Sequence, residues 1–110
     1  MKKIYLACPY SHPNKKVRHE RFLKAVEYAG FLITQGNIVF CPVCHSHPIA
    51  LYNNLDKKNS SFWLEQDLPF LPICDEIRVL MLDGWDKSLG GKIEIETGES
   101  LGLPIRYVAY

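Results

Sequence analysis

The chain has 110 residues, of which 47% are hydrophobic and 23% are charged, and its formal net charge is +1. This length accommodates one domain with a substantial core, expected to span residues 1–110, and excludes a second domain. The small net charge excludes a global attraction to nucleic acid or to an anionic membrane. No apolar run is long enough to cross a bilayer, and no signal-peptide core follows Met-Lys-Lys. We therefore predict a cytoplasmic protein with neither nucleic acid nor a membrane as its partner.

Apolar stretches with β-like composition alternate with segments of helical periodicity along the chain. The predicted strands cover residues 3–8, 37–41, 76–82 and 104–108. The first predicted helix is long, has an apolar stripe from Val17 to Ile33 and ends at Gly36. A short second helix covers about residues 61–68. The third helix begins at the N-cap Ser88 and ends at Gly102. The polar, Asn-rich residues 52–61 are predicted to form a mobile flap.

This alternation of strands and helices is the order that produces a parallel sheet covered by helices on both faces. We therefore predict an α/β fold, a flavodoxin-like three-layer sandwich with a parallel sheet of four to five strands. Ligands of such sheets bind outside the carboxyl ends of the strands. The segments that follow the first three strands, residues 9–12, 42–47 and 83–88, are expected to meet there and to form a ligand-binding crevice.

The third predicted helix combines an anion-binding start with an unshielded carboxylate. If Ser88 is the N-cap, free backbone N–H groups and a partial positive charge face the crevice, which suits a 5′-phosphate. Side chains on a helix lean toward its N-terminus, so Glu94 points back over Gly90 and Gly91, which leave space above its carboxylate. In the alternative interpretation, the two glycines belong to a turn and Glu94 is a solvated surface charge.

Four motifs occur in an order that resembles a known superfamily. They are Ile4-Tyr5-Leu6-Ala7-Cys8-Pro9, Glu65-Gln66-Asp67-Leu68, Ser88-Leu89-Gly90 with Glu94, and Leu101-Gly102-Leu103-Pro104. Together they resemble the nucleoside 2-deoxyribosyltransferase superfamily, which includes the 2′-deoxynucleoside 5′-monophosphate N-hydrolases. The likeness is greatest to a small bacterial and phage branch of that superfamily.

This resemblance implies a role for each matching residue. Glu94 matches the nucleophile that forms a covalent deoxyribosyl intermediate, and Tyr5 matches the tyrosine that orients it. Asp67 matches the carboxylate that handles the base and helps to protonate it as it leaves. Ser88 matches the serine that contacts the phosphate in the monophosphate hydrolases. The resemblance also implies a nucleoside or nucleotide as the small-molecule partner and a homodimer or larger homo-oligomer.

Other candidate substrate-binding residues lie around the predicted crevice and the start of the first helix: Tyr10, Ser11, Arg18, Arg21, His45, His47, Asp83 and Trp85. The two arginines, one turn apart, either hold a phosphate bidentately or form a solvated face. The two histidines either line the crevice or are turn residues bonded to the backbone. Trp85 either stacks on a base or covers the end of the sheet. Asp83 and Asp86 either bind sugar or base or shape the turn. We interpret Trp63 as a core or oligomer contact.

A possible metal motif, Cys41-Pro42-Val43-Cys44-His45-Ser46-His47, follows the second predicted strand. Zinc ligands usually come from two separated pairs, whereas all four candidates here lie within seven residues. We therefore expect neither a metal nor another cofactor. A structural zinc or redox protein built around Cys41 and Cys44 is kept as an alternative, whereas Cys8 and Cys74 are interpreted as buried hydrophobic residues.

Two hypotheses about function remain beside that alternative. The first is an enzyme that cleaves or exchanges the N-glycosidic bond of a nucleoside 5′-monophosphate or a related nucleoside. Two carboxyl groups in opposed roles suit this chemistry, because positive charge develops on the sugar while the base needs a proton. Whether water or a second base attacks the intermediate is left open. The second hypothesis is a non-catalytic module that binds a nucleotide or an ADP-ribose-like ligand.

Overall fold

A computed structural model describes all 110 residues of the chain. The four strands are β1 (Lys3–Ala7), β2 (Ile38–Phe40), β3 (Glu76–Met81) and β4 (Ile105–Ala109). They form one parallel sheet in the order β2-β1-β3-β4. This is the flavodoxin-like order, in which the crevice lies between β1 and β3. The predicted α/β fold with a four-stranded parallel sheet is confirmed.

Helices cover both faces of the sheet. They are α1 (Lys15–Thr34), α2 (Pro42–Tyr52), α3 (Ser60–Asp67) and α4 (Leu89–Ser100), and a short 3₁₀ segment (Leu68–Ile73) follows α3. Side chains alternate along β1, so Leu6 packs in the core beneath α1, whereas Tyr5 and Ala7 pack on the opposite face, near α4. No helix combines the length and hydrophobicity needed to cross a membrane. Tyr5 thus reaches the layer that carries Glu94.

Helices α1 and α4 begin at polar N-cap residues and are followed by glycines. The Asn14 side chain accepts a hydrogen bond from the N–H of Lys16, and the Ser88 hydroxyl accepts one from the N–H of Gly91 at 3.1 Å. Gly36 and Gly102 follow the two helices with φ angles of +91° and +75°, which favour glycine. The predicted Ser88 cap and the predicted ends of the two helices at Gly36 and Gly102 are confirmed.

Helix α2 corrects the sequence interpretation of residues 42–47. The second strand does end before Pro42, but that proline occupies the first turn of a helix, where its missing N–H costs nothing. A second proline, Pro48, lies inside the helix, a position from which proline is normally absent. Because α2 extends to Tyr52 and α3 begins at Ser60, the polar segment predicted as a flap is reduced to residues 53–59. Its mobility stays a prediction.

Gly98 marks the closest approach of α4 to the sheet. A Cβ atom at this position would lie 2.1 Å from Cδ1 of Ile77, which is fully buried in β3. We expect Gly98→Ala to lower the free energy of unfolding by about 1–3 kcal/mol, because overpacking outweighs the better helix propensity of alanine. The control is Gly30→Ala in α1, where a Cβ would meet open space and where we expect a gain of up to about 1 kcal/mol. Equal stability of the two variants in urea denaturation would contradict this packing.

Candidate functional site

A cavity of about 580 Å³ opens at the carboxyl edge of the sheet. This volume is in the range of small-molecule sites. Its walls come from the segment after β1, the first turns of α2, one face of α3, and the stretch from Asp83 to Glu94. The three segments that were expected to meet at this edge all contribute to the cavity.

Glu94 lies in the wall of this cavity, on the second turn of α4. Its side chain is buried, and the Tyr5 hydroxyl donates a hydrogen bond to Oε2 at 2.5 Å. A Cβ built on Gly90 would meet no atom within 4 Å, so the glycine leaves open space on the cavity side of the helix. The carboxylate is therefore oriented by Tyr5 and is not shielded from the cavity by a side chain at position 90.

Burial sets the protonation of Glu94. Removal from water raises the pKa of its carboxyl from the ordinary 4.5 to about 8; the hydrogen bond from Tyr5 opposes this shift, and the charge of Asp67 adds to it. Tyr5 is itself fully buried, and burial together with Glu94 raises the pKa of its hydroxyl. Tyr5 thus stays a hydrogen-bond donor at any ordinary pH.

Asp67, the last residue of α3, is the second acidic group in the cavity wall. It is only 5% exposed, and its Oδ1 atom has no hydrogen-bond partner. Burial raises the pKa of this carboxyl to about 6. A buried polar atom without a partner is costly unless a ligand or water satisfies it. Asp67 is therefore placed to exchange a proton with a bound molecule near neutral pH.

One end of the cavity is suited to an anion. Ser88, Gly90 and Gly91 at the start of α4 line it, so that N–H groups and the positive end of the helix dipole lie there. Arg21 also lines the cavity, and its guanidinium donates to the carbonyl oxygens of Ser11 at 3.1 Å and Asp83 at 2.9 Å. These two backbone contacts hold a positive charge in the cavity wall, beside the turn at Asp83 and Gly84 that precedes α4.

Most of the predicted binding residues line the cavity together with Glu94 and Asp67. They are Tyr10, Ser11, Arg21, Asp83, Ser88, Gly90 and Gly91. Four others lie outside it: Arg18, His45, His47 and Trp85. Successive residues of a helix point about 100° apart. The helical conformation of α2 therefore turns Ser46 toward the cavity, while His45 is exposed near Phe40 and His47 points toward α1.

The predicted residues outside the cavity have structural contacts of their own. Arg18 donates to the carbonyl oxygen of His12, and His47 Nδ1 is hydrogen-bonded to the Tyr10 hydroxyl at 2.6 Å. The ring of Trp85 packs against Tyr107, with the centroids 5.5 Å apart. The position of Trp85 thus fits the second of its two alternatives, in which it covers the end of the sheet.

The model of a protein family described as a domain of unknown function, DUF1937, matches residues 2–109. The chain belongs to the DUF1937 family. Its fold is similar to that of a 2-deoxyribosyltransferase from Bacillus psychrosaccharolyticus, with a TM-score of 0.67 and 22% identity over 97% of this chain and 72% of that one. At this identity the likeness establishes a shared fold. No curated protein matches the chain in sequence.

The resemblance to the nucleoside 2-deoxyribosyltransferase superfamily is thereby supported at the level of the fold. The bacterial and phage branch suggested by the motifs stays a prediction.

Lys87 and Trp63 are two of the cavity residues of this DUF1937 domain that the sequence analysis does not name as binding residues. Lys87 lies just before the N-cap of α4 and lines the end suited to an anion. Trp63 lines the cavity as well, rather than serving only as a core contact. Its spacing of four residues from Asp67 places both on one face of α3, a signal that was available in the sequence.

The cysteine- and histidine-rich segment does not assemble into a metal centre. The structure contains no group of three or more His, Cys, Asp or Glu side chains that could hold a metal ion. All four cysteines are free thiols. Cys41 and Cys44 lie together at the start of α2, whereas His45 lies near Phe40 and His47 points toward α1.

Proposed function

We propose that the protein cleaves or exchanges the N-glycosidic bond of a 2′-deoxynucleoside 5′-monophosphate, or a related nucleoside, through a covalent intermediate on Glu94. One observation carries the proposal: a buried carboxylate bonded to Tyr5 and a buried carboxyl without a partner, Asp67, line the same cavity. A 2-deoxyribosyltransferase with the same fold adds support. The cytoplasmic location and the homo-oligomer stay predictions from the sequence.

In the proposed reaction, a carboxylate oxygen of Glu94 attacks the anomeric carbon, and a bond forms between them as the bond to the base nitrogen breaks. Asp67 gives its proton to the departing base and becomes a carboxylate. The positive charge that develops on the sugar is stabilised by ionised Glu94, and this interaction is strong because the site is buried. Tyr5 keeps the carboxylate oriented through its hydrogen bond.

The fate of the intermediate decides between a hydrolase and a transferase. Attack by water at the anomeric carbon releases the sugar phosphate, whereas attack by the nitrogen of a second base forms a new nucleotide. In both cases the bond to Glu94 breaks and the carboxylate is regenerated. Asp67, now ionised, accepts the proton of the attacking group, which restores the starting state.

The 5′-phosphate is assigned to the end formed by Arg21, Lys87 and the start of α4. Charge-assisted hydrogen bonds of this kind contribute about 1.5–3 kcal/mol each. We therefore expect kcat/KM for a monophosphate to exceed that for the matching nucleoside by at least about tenfold.

The test is to incubate the protein with a panel of deoxynucleosides and their 5′-monophosphates, with and without a second free base, and to follow base release by chromatography. Base release without an acceptor identifies a hydrolase, and release only with an acceptor identifies a transferase. Lys87→Met is expected to lower the ratio of kcat/KM for a monophosphate to kcat/KM for the matching nucleoside. The control is Lys92→Met, because Lys92 lies outside the cavity and forms a surface pair with Glu96. If no compound releases base, but one raises the melting temperature, the site is a binding module.

A further inference from the structure

The first turn of α2 carries two cysteines that have no part in the proposed reaction. Cys41 is the N-cap and Cys44 follows three residues later, with Pro42 and Val43 between them. Residues three apart on a helix lie on the same side, so the two thiols are neighbours, and each one shifts the pKa of the other. Cys41 is buried at 5% exposure, whereas Cys44 is only partly buried. One cysteine is thus partly accessible to solvent and its neighbour is not.

The location favours a reactive thiolate on Cys44. Thiolates are stabilised near helix N-termini, where free N–H groups and the helix dipole provide partial positive charge. The neighbouring Cys41 thiol lowers the pKa of the Cys44 thiol below its usual value, while the Cys44 thiol and burial raise the pKa of Cys41. Cys44 is thus the thiol that ionises first, which is an arrangement suited to one attacking thiolate and one resolving thiol.

The other two cysteines lack these features. Cys8 is buried, its thiol donates to the carbonyl oxygen of Pro9 at 3.5 Å, and burial raises its pKa to about 12. Cys74 is also buried, and burial raises the pKa of its thiol. Cys8 lies close enough to Cys44 for the two to interact electrostatically, which makes it the competing partner that an experiment must exclude.

We propose that Cys41 and Cys44 form a reversible disulfide by exchange with small-molecule disulfides, with Cys44 as the attacking residue. The Cys44 thiolate attacks one sulfur of the small disulfide, forms a mixed disulfide and releases one thiolate, which takes up a proton. Cys41 then loses its proton and attacks the Cys44 sulfur, which releases the second small thiol. The protein loses two protons and two electrons, and the small disulfide takes them up to become two thiols.

This site is independent of the proposed glycosidic chemistry. Tyr5, Asp67 and Glu94 are not needed for the exchange, although Pro42 and Val43 line the same cavity. The inference therefore stands or falls separately from the proposed function.

The test uses the full chain in its native state with oxidised glutathione, followed by intact mass analysis and peptide mapping. We expect the wild type to lose two hydrogens through a Cys41–Cys44 disulfide that reduced glutathione reverses. Cys41→Ser is expected to accumulate a stable mixed disulfide on Cys44, and Cys8→Ser to behave like the wild type. The alkylation rate of Cys44 in the reduced wild type is expected to exceed that of Cys74 by at least about tenfold.

Four free thiols retained in native wild-type protein would overturn the proposal, and so would a disulfide between Cys8 and Cys44. If Cys41→Ser does not fold, the wild type is quenched with acid at early times instead. Glutathione on the Cys44 peptide then supports the order of attack, whereas glutathione on Cys8 or Cys74 contradicts it.

Discussion

Glu94→Gln is expected to abolish base release while making the protein more stable at neutral and alkaline pH. Glutamine keeps the size of the side chain but cannot form the bond to the anomeric carbon, so kcat/KM should fall by at least about 10³-fold. The gain in stability has a separate cause, which is the cost of holding an ionised carboxylate in a buried position. Activity and stability thus change in opposite directions, as in sites where function opposes stability.

The sign of the stability effect follows from proton binding. The folded protein holds the proton of Glu94 up to about pH 8, whereas the ordinary pKa is 4.5. Between these values the folded state binds more protons than the unfolded state, so stability is full at low pH and is lost as the pH rises through the folded pKa. One pKa unit corresponds to about 1.4 kcal/mol. The gap between 4.5 and about 8 corresponds to at most about 5 kcal/mol, so we expect the glutamine variant to exceed the wild type in stability by several kcal/mol at about pH 8.

Urea denaturation at about pH 5 and about pH 8 measures this difference. The matched control is Glu96→Gln, which lies two residues further along α4, where Glu96 forms an exposed pair with Lys92 at 3.9 Å. Exposed pairs contribute little, so neither activity nor the slope of stability with pH is expected to change. Retained base release in Glu94→Gln would show that Glu94 is not the nucleophile. An unchanged slope of stability with pH would show that its carboxyl is not held in the buried position described above.

Asp67→Asn is expected to reduce kcat/KM by about 10²–10⁴-fold, because the base loses its proton donor. The loss should be smallest for substrates whose base is already a good leaving group. Asp86→Asn is the control, since Asp86 is exposed and lies outside the cavity. An equal loss for good and poor leaving groups would argue that Asp67 binds the substrate without protonating the base.

The pH profile distinguishes the two carboxyl groups further. The reaction needs Glu94 ionised and Asp67 protonated, although the pKa of Glu94 is about 8 and that of Asp67 is about 6. Wild-type kcat/KM should therefore rise with pH through the lower value and fall through the higher one, with both values belonging to the interacting pair. In Asp67→Asn the alkaline fall is expected to disappear, and the residual activity should rise as Glu94 ionises.

The sequence was most informative where local chemistry determines local structure. Apolar runs identified all four strands, and Ser88 and Gly102 marked the ends of α4. Helix α2 escaped notice because Pro42 and Pro48 interrupt a segment without clear apolar periodicity. Prolines usually signal a break, but one of them here occupies the first turn, where it is tolerated.

The site was predictable in part for the same reason. The position of Glu94 above two glycines follows from helix geometry alone. Its contact with Tyr5, 89 residues away in the chain, could be predicted only from the family resemblance, because no local sequence pattern indicates it. The orientation of α2 and the packing of Trp85 against Tyr107 depend on tertiary contacts, so His45, His47 and Trp85 could not be placed from the sequence.

Trapping the proposed sugar adduct on Glu94 tests the central claim most directly. The wild type is mixed with the best substrate of the panel, quenched with acid during turnover, digested and mapped by mass spectrometry. The peptide that contains Glu94 is expected to carry the deoxyribosyl group with its phosphate, and the same peptide from Glu94→Gln is expected to carry none. A sugar attached to a different residue, or turnover by Glu94→Gln at the wild-type rate, would contradict the account.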